Sequence, residues 1–282
     1  MKKYYKDNEE IIWDFIQKIK TELKKPKISE SGYQTLKDYY FSWRKDFPLI
    51  RQYYYLERVL PVVNLIKTKK IKTILDIGCG CGSEAILFAL LNCQVLGIDI
   101  NKERLNCAQE RKSYYENLLE KKLKIKFELE NFFDLKIDKK FDFIWILETI
   151  HHIEPPLEAL QLAYYFLNKN GYIGISDPNG LNPLVQIKLF LERGIIFHKE
   201  VLNPKSGKMI PYGIENIFTV LKVRQMLKRA GFKIKEISYQ RFLPAIKLTE
   251  KYFKTFKLIE DLLRKIPFLK NFGVGYTIIA QK

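Results

Sequence analysis

Two periodicities divide the chain. In residues 9–25, Ile12, Phe15, Ile16, Ile19 and Leu23 fall three or four positions apart, the spacing that lines one face of a helix. Pro26 predicts where that helix stops. Residues 33–66 are rich in Tyr, Phe and Leu and read as further helices, with Pro48 and Pro61 breaking or starting them. From residue 71 the pattern changes. Short β-rich runs at 71–77, 94–100, 124–130, 141–147 and 172–176 alternate with helical runs at 83–91, 102–122 and 156–168. Ile125, Phe127 and Leu129 alternate with polar residues, as in a half-buried strand, whereas 141–147 is apolar almost throughout, as a strand covered on both faces should be. Such a series predicts a parallel sheet with helices on both faces. A helix at 220–229, capped by Ala230-Gly231, and strands at 232–241 and 274–280 complete it. Residues 178–219 are too many for a bare connection. With a helix at 184–191 and a loop marked by Pro204, Gly207, Pro211 and Gly213, they read as an insertion over the site. Residues 244–270 supply further helix. The predicted organisation is an N-terminal helical cap over residues 1–70 and an α/β domain over residues 71–282 that includes the insertion.

Composition supports this picture. The 282 residues are 47% hydrophobic and 14% aromatic, enough for a substantial core, which excludes global disorder. No uncharged apolar run approaches the roughly 18 residues that cross a bilayer. The first residues lack the apolar stretch of a secretion signal, so a cytoplasmic location is expected. Cys79, Cys81, Cys93 and Cys107 offer no second metal-binding knuckle; they read as thiols in a reducing compartment, and no metal site is predicted. Charge changes the picture more. The formal net charge is +17. Residues 1–70 hold 16 basic and 9 acidic residues, residues 71–177 hold 13 and 16, and residues 178–282 hold 20 and 7. The excess therefore lies outside the central segment. It favours an acidic partner: a phosphate- or carboxylate-bearing substrate, nucleic acid or an anionic membrane surface. The same excess would also arise from a solvated, lysine-rich surface, because the lysines are scattered.

The candidate chemistry begins at the first strand. Ile74-Leu75-Asp76-Ile77-Gly78-Cys79-Gly80-Cys81-Gly82 lies at a strand-to-helix turn, where glycines let the backbone bend and approach a ligand. Asp99 ends the next strand, where a carboxylate can accept both hydroxyls of a ribose. A glycine loop followed by an acid is also a dinucleotide signature, but two details oppose that reading. Gly82 comes too early for G-x-G-x-x-G, with Ser83 following it. And Asp76, before the first glycine, would repel a pyrophosphate but attract the ammonium of a sulfonium cofactor.

On these residues the sequence resembles the class I S-adenosylmethionine-dependent methyltransferases, well over residues 71–177 and less specifically beyond. The resemblance implies a Rossmann-like, doubly wound sheet of seven strands in the order 3-2-1-4-5-7-6, the last strand antiparallel. It implies S-adenosylmethionine as cofactor. The backbone around Gly78 and Gly80 would line its methionine end with Asp76 near the amino group, Gly82 would belong to the same cofactor loop, Asp99 would hold the ribose, and Ile100 would pack near the adenine. Glu130-Asn131-Phe132-Phe133-Asp134 resembles the adenine-side motif, with Phe132 against the base. Asn131 stands where many members have Asp, and its oxygen can still accept from the adenine amine. Leu147, ending the fourth strand, joins this set. Phe127, Phe133 and Trp145 read as core.

The segment Leu147-Glu148-Thr149-Ile150-His151-His152-Ile153 resembles the His-containing stretch of members acting on quinone precursors, sugars, lipids and other small molecules. His titrates near neutrality and can take a hydroxyl proton, so His152 and then His151 are the candidate catalytic bases; packing under the cofactor loop is their alternative role. His198, in the insertion, reads as surface. The N/D-P-P-Y/F turn of enzymes that methylate base amines is absent after strand four, and so is a Pro-Cys nucleophile. The expected acceptor is a small molecule methylated on oxygen, acidic or lipid-linked. The aromatic cap residues Tyr39, Tyr40, Phe41, Trp43, Tyr53, Tyr54 and Tyr55, with Phe190, Ile195, Ile196 and Phe197, are candidates to enclose it. RNA or protein is the alternative acceptor, nucleic acid the less favoured partner, and peripheral membrane contact stays open.

Overall fold

The computed structural model describes residues 2–24, 27–41, 47–242 and 250–282. Pro26 and Trp43 lie outside the described residues, as do the side chains of Tyr39, Tyr40 and Phe41. Three helices come first: α1 (Lys2–Lys24), α2 (Glu30–Phe41) and α3 (Leu49–Lys69). The periodic stripe of α1 does what its spacing demands, for Ile12, Phe15, Ile16, Ile19 and Leu23 are all buried. Pro48 is the N-cap of α3, but Pro61 sits inside that helix and neither breaks nor starts it. Leu56, Val59, Val62, Val63 and Ile66 are buried on both sides of it. At ~1.5–3 kcal/mol each, their burial offsets the roughly 3 kcal/mol cost of an internal proline.

The alternating region follows as β1 (Thr73–Ile77), α4 (Ser83–Leu90), β2 (Gln94–Asp99), α5 (Lys102–Leu119), β3 (Ile125–Leu129), β4 (Phe141–Leu147), α6 (Pro156–Phe166) and β5 (Leu167–Pro178). Then come α7 (Pro183–Arg193), β6 (His198–Leu202), β7 (Met209–Gly213), α8 (Val220–Arg229), β8 (Lys233–Gln240), α9 (Glu250–Lys265) and β9 (Gly275–Gln281). Seven strands form one sheet in the order β3-β2-β1-β4-β5-β9-β8, in which β9 runs antiparallel to β5 and β8. With β8 and β9 as the sixth and seventh strands of the sheet, this is the expected 3-2-1-4-5-7-6 arrangement.

Alternation along the strands sorts side chains to the two faces. Ile74, Phe143 and Trp145 share a core with α1, α3, α4 and α5, while Leu75, Ile77, Ile144 and Ile146 pack with α6 and α8. The first three helices thus lie in the same core as one face of the sheet. A buried ion pair fastens them. Arg111 of α5 donates from Nε and Nη2 to both oxygens of Glu22 on α1, at 2.6 and 3.0 Å, and from Nη1 to Cys81 O at 2.6 Å and Ser83 Oγ at 2.7 Å. One guanidinium therefore ties α1 and α5 to the glycine loop.

The insertion differs from its prediction. The marked loop is the turn and second strand of an antiparallel hairpin, β6 with β7, from His198↔Gly213 to Leu202↔Met209. Both strands are mostly exposed, so they lack the one-sided apolar alternation that announces a strand. Pro211 is tolerated because in a two-stranded ribbon neither strand is a central one with continuous ladders on both sides.

Candidate active site

The β1–α4 turn is a left-handed glycine loop: φ is +71° at Gly78, +52° at Gly80 and +73° at Gly82. Side chains rarely adopt such angles. A Cβ on Gly78 would also overlap Thr149, and one on Gly82 would come within 2.7 Å of Phe127 Cζ. The loop is pinned to the tip of β2. The amides of Gly78 and Cys79 both donate to Ile98 O, at 2.8 and 3.0 Å, and Gly80 N donates to Asp99 Oδ2 at 2.9 Å. Asp99 Oδ1 accepts from Asn101 N at 2.8 Å. Each Asp99 oxygen keeps a lone pair for a hydroxyl.

These residues open onto a cavity of about 1240 Å³. Gly78, Gly80, Asp99, Ile100, Asn131, Phe132, Leu147, His151 and His152 all line it. Asp76 and Gly82 stand behind its wall. Asp76 is buried and its Oδ2 has no hydrogen-bond partner. Burial, then the neighbouring Glu84 and Asp99, push its carboxyl well above the usual carboxylate range. Three acids packed beneath a glycine loop suit a ligand bearing positive charge and oppose a pyrophosphate. The sulfonium and ammonium of S-adenosylmethionine meet that requirement. Past the tip of β3, Asn131 Oδ1 accepts from Phe133 N at 3.3 Å and its Nδ2 donates to Asp134 at 3.2 Å, so the amide oxygen keeps one lone pair open for a further donor. Phe132 packs between Phe133 and Phe166, with ring centroids 6.3 and 6.1 Å away. Lys205 of the hairpin turn pairs with Glu130, and Asn203 donates to Asp134 at 2.9 Å. The insertion is thereby fastened to the β3 side of the cavity.

Beyond β4 the two histidines have opposite characters. His151 is buried, and its Nδ1 lies 2.7 Å from Asp177 Oδ1 at the end of β5. Burial works against its cation, but Asp177, Glu215 and Glu148 outweigh it and hold the imidazole above its ordinary pKa. His152 turns Nδ1 to Gly213 O at 2.8 Å and stacks on Tyr212, centroids 4.7 Å apart. Burial and the adjacent His151 push it down to about 3. The Nε2 atoms of both face Glu215, 3.7 Å and 3.8 Å from its oxygens. Donor atoms of His151, His152 and Glu215 all lie within 4.8 Å of one another, a spacing that can also hold a metal ion. His198 is exposed and its Nδ1 lies 3.3 Å from a Glu154 oxygen.

Several cavity residues escaped the sequence reading: Arg51, Glu148, Tyr212, Glu215 and Arg241, with Asp177 behind His151. Glu148 sits in the histidine-bearing phrase at the end of β4, where the histidines alone were singled out. The other cavity residues reach it through long-range packing and carry no local signal.

The strand order, the glycine loop and Asp99 at the β2 tip define a class I S-adenosylmethionine-dependent methyltransferase fold. Residues 68–231 match the family described as "Methyltransferase domain", and the chain belongs to that family. It is an S-adenosylmethionine-dependent methyltransferase. A ubiquinone biosynthesis O-methyltransferase of Haemophilus ducreyi is 27% identical over 191 residues, which cover 64% of this chain and 72% of that protein. A 27-O-demethylrifamycin SV methyltransferase of Amycolatopsis mediterranei is 31% identical over 106 residues, 37% of this chain and 38% of the relative. Among solved structures, magnesium protoporphyrin IX methyltransferase from Synechocystis with bound SAH shares the fold with a TM-score of 0.53 at 16% identity, covering 82% of this chain and 84% of that one. A S-adenosylmethionine-dependent methyltransferase from Methanosarcina mazei has a TM-score of 0.52 at 21% identity, covering 74% and 92%.

Proposed function

We propose that this enzyme methylates an oxygen of a small, lipid-type acceptor, with His151 as the base. The observation that carries the reading is the His151–Asp177 pair, 2.7 Å apart, opening onto the same cavity as the glycine loop. When bound at that loop, S-adenosylmethionine supplies an electrophilic methyl group. The chain's own task is to align the acceptor, exclude water and remove a hydroxyl proton. Asp177 fixes His151 through Nδ1, which leaves Nε2 turned toward Glu215 and the cavity. It also stabilises the imidazolium formed when Nε2 takes the proton, as in other carboxylate–imidazole pairs. His152 is then the positioning neighbour: neutral, stacked on Tyr212 and too weakly basic to hold the proton. The O-methyltransferase named among the relatives supports an oxygen acceptor. A cavity of about 1240 Å³ exceeds the usual 300–1,000 Å³ of a ligand pocket, which supports a second molecule beside the cofactor. The exposed apolar face of α7 supports a lipid-type acceptor and peripheral contact with the cytoplasmic face of a membrane.

The test is the pH profile of methyl transfer to a small-molecule or lipid extract. Because the pKa of His151 is raised, its base form appears only above the ordinary histidine range. kcat/KM is expected to climb through that raised value with unit slope. His151→Asn should lose the climb and roughly 10²–10⁴-fold in rate, with cofactor affinity kept; His152→Asn should keep the climb. The reverse pattern would reassign the base to His152. Activity abolished by a chelator and restored by a divalent cation would instead make both histidines ligands with Glu215.

A further inference from the structure

Helix α3 carries Arg51, Tyr54 and Arg58 at positions i, i+3 and i+7, on one face of the helix. Arg58 is neutralised by Glu148 at the tip of β4, and its guanidinium lies 4.5 Å from the centre of the Tyr54 ring. Arg241, just past β8, approaches the same ring from the sheet, at 5.2 Å. Its Nε is buried without a hydrogen-bond partner. Arg51 and Arg241 both line the cavity, and neither has a carboxylate in ion-pair contact among the described residues. The nearby acids are committed elsewhere. Glu148 holds Arg58, Glu57 holds Arg264 and accepts from Arg241 N, and Glu260 accepts from Phe242 N. Asp38, on the same wall, accepts from Gln34 Nε2 at 2.8 Å. Burial and then Arg241 depress Arg51, and burial depresses Arg241. Two guanidinium groups are thus held together, partly out of water, with Glu148, Glu57 and Glu260 acting on them only from beyond ion-pair contact among the described residues.

Their place in the sheet says what they face. The cofactor residues occupy the tips of β1, β2 and β3, at one end of the strand order. Arg241 follows β8, at the other end, and Pro178 of β5 and Val274 before β9 line the cavity between. With strands ~4.8 Å apart, the tip of β8 starts about 19 Å from that of β1, and its arginine reaches back over the acceptor half of the cavity.

We propose that Arg51 and Arg241 form a subsite for an anionic oxygen group, a carboxylate or a phosphate monoester, carried by the methyl acceptor. The proposal rests on the small-molecule reading above and deepens it: the acceptor has a hydroxyl presented to His151 and an acidic group gripped on the β8 side. Paired guanidinium forks suit such groups because they bind both oxygens at once.

The test is calorimetry on the full chain saturated with S-adenosylhomocysteine, using benzoate, phenyl phosphate and benzyl alcohol as probes. Either anion should bind at least about tenfold more tightly than the neutral alcohol, the usual span of a charge-assisted contact. The tighter of the two anions identifies the acceptor's acid. Arg51→Gln and Arg241→Gln should each erase that margin and leave S-adenosylhomocysteine affinity unchanged, whereas Arg241→Lys should keep part of it. The comparison of probes on the unaltered chain stands even if a variant folds poorly. Equal binding of all three probes overturns the subsite. So does a tenfold loss of S-adenosylhomocysteine affinity in both Gln variants, which would assign the arginines to the cofactor's own carboxylate. Absence of S-adenosylhomocysteine binding to the unaltered chain would instead remove the methyltransferase reading beneath it.

Discussion

If S-adenosylmethionine sits at the glycine loop, Asp76 is the side chain that would couple the fold to it. Its carboxyl is buried, one oxygen has no partner, and burial with Glu84 and Asp99 raises its pKa well above the ordinary range. Without ligand, the group therefore keeps its proton at a pH where an exposed aspartate has lost it. In the ligand-free fold, this makes Asp76 a source of stability at low pH that is lost as pH rises through the raised value. A cationic cofactor reverses the preference, because it favours the ionised form. Binding should then release a proton between the ordinary aspartate range and the raised value, and S-adenosylmethionine affinity should increase with pH across that window. Calorimetry in two buffers of different ionisation enthalpy measures the release directly. Asp76→Asn should abolish it and cost roughly tenfold or more in affinity. Unchanged proton release in that variant would mean that Glu84 or Asp99 is the linked group.

At the scale of elements, the site depends on how α1 and α5 grip the glycine loop. Arg111 donates four hydrogen bonds, two to Glu22, one to Cys81 O and one to Ser83 Oγ, all buried. Removing one partner of a buried pair leaves a charge stranded in low dielectric, at a cost of about 3–5 kcal/mol. Arg111→Ala should therefore lower stability by that amount in urea unfolding and also weaken cofactor binding, since Cys81 lies in the loop. A variant as stable as the parent would show that water had replaced the guanidinium. No local pattern announced this pair, because Glu22 and Arg111 are 89 positions apart. What was legible is what periodicity controls: the strand tips, hence Gly78, Asp99, Asn131, Leu147 and the two histidines along one cavity wall. Pro61 and the β6–β7 hairpin were misread for the complementary reason. In one, tertiary burial overrode a local propensity; in the other, exposed strands carried no apolar signature.

For the molecule as a whole, charge and exposed apolar surface meet on the same segment. Helix α7 puts Leu184, Val185, Lys188 and Leu189 on the cavity wall. Ile187, Phe190 and Leu191 stand 60%, 63% and 79% exposed, and Ile195 and Ile196 follow them at 80% and 60%. Surface apolar clusters of this kind mark contact sites. Lys188, Arg193 and Lys199 lie among them, within the third of the chain where basic residues number 20 against 7 acidic. No helix of the described residues is long and apolar enough to cross a membrane. If the acceptor is of the lipid type proposed above, a helix with one side in the cavity and another bare is suited to lie on an anionic bilayer and pass it inward. The full chain should therefore sediment with vesicles containing anionic phospholipid and much less with neutral vesicles. Binding should weaken as salt screens the charges, which act over about 8 Å at physiological ionic strength. Replacing Phe190 and Leu191 by Ser should release the protein without altering S-adenosylhomocysteine binding. Equal sedimentation with neutral and anionic vesicles would remove the electrostatic half of this account. Steeply salt-dependent binding to RNA, with none to vesicles, would turn the basic surface toward a nucleic-acid acceptor instead.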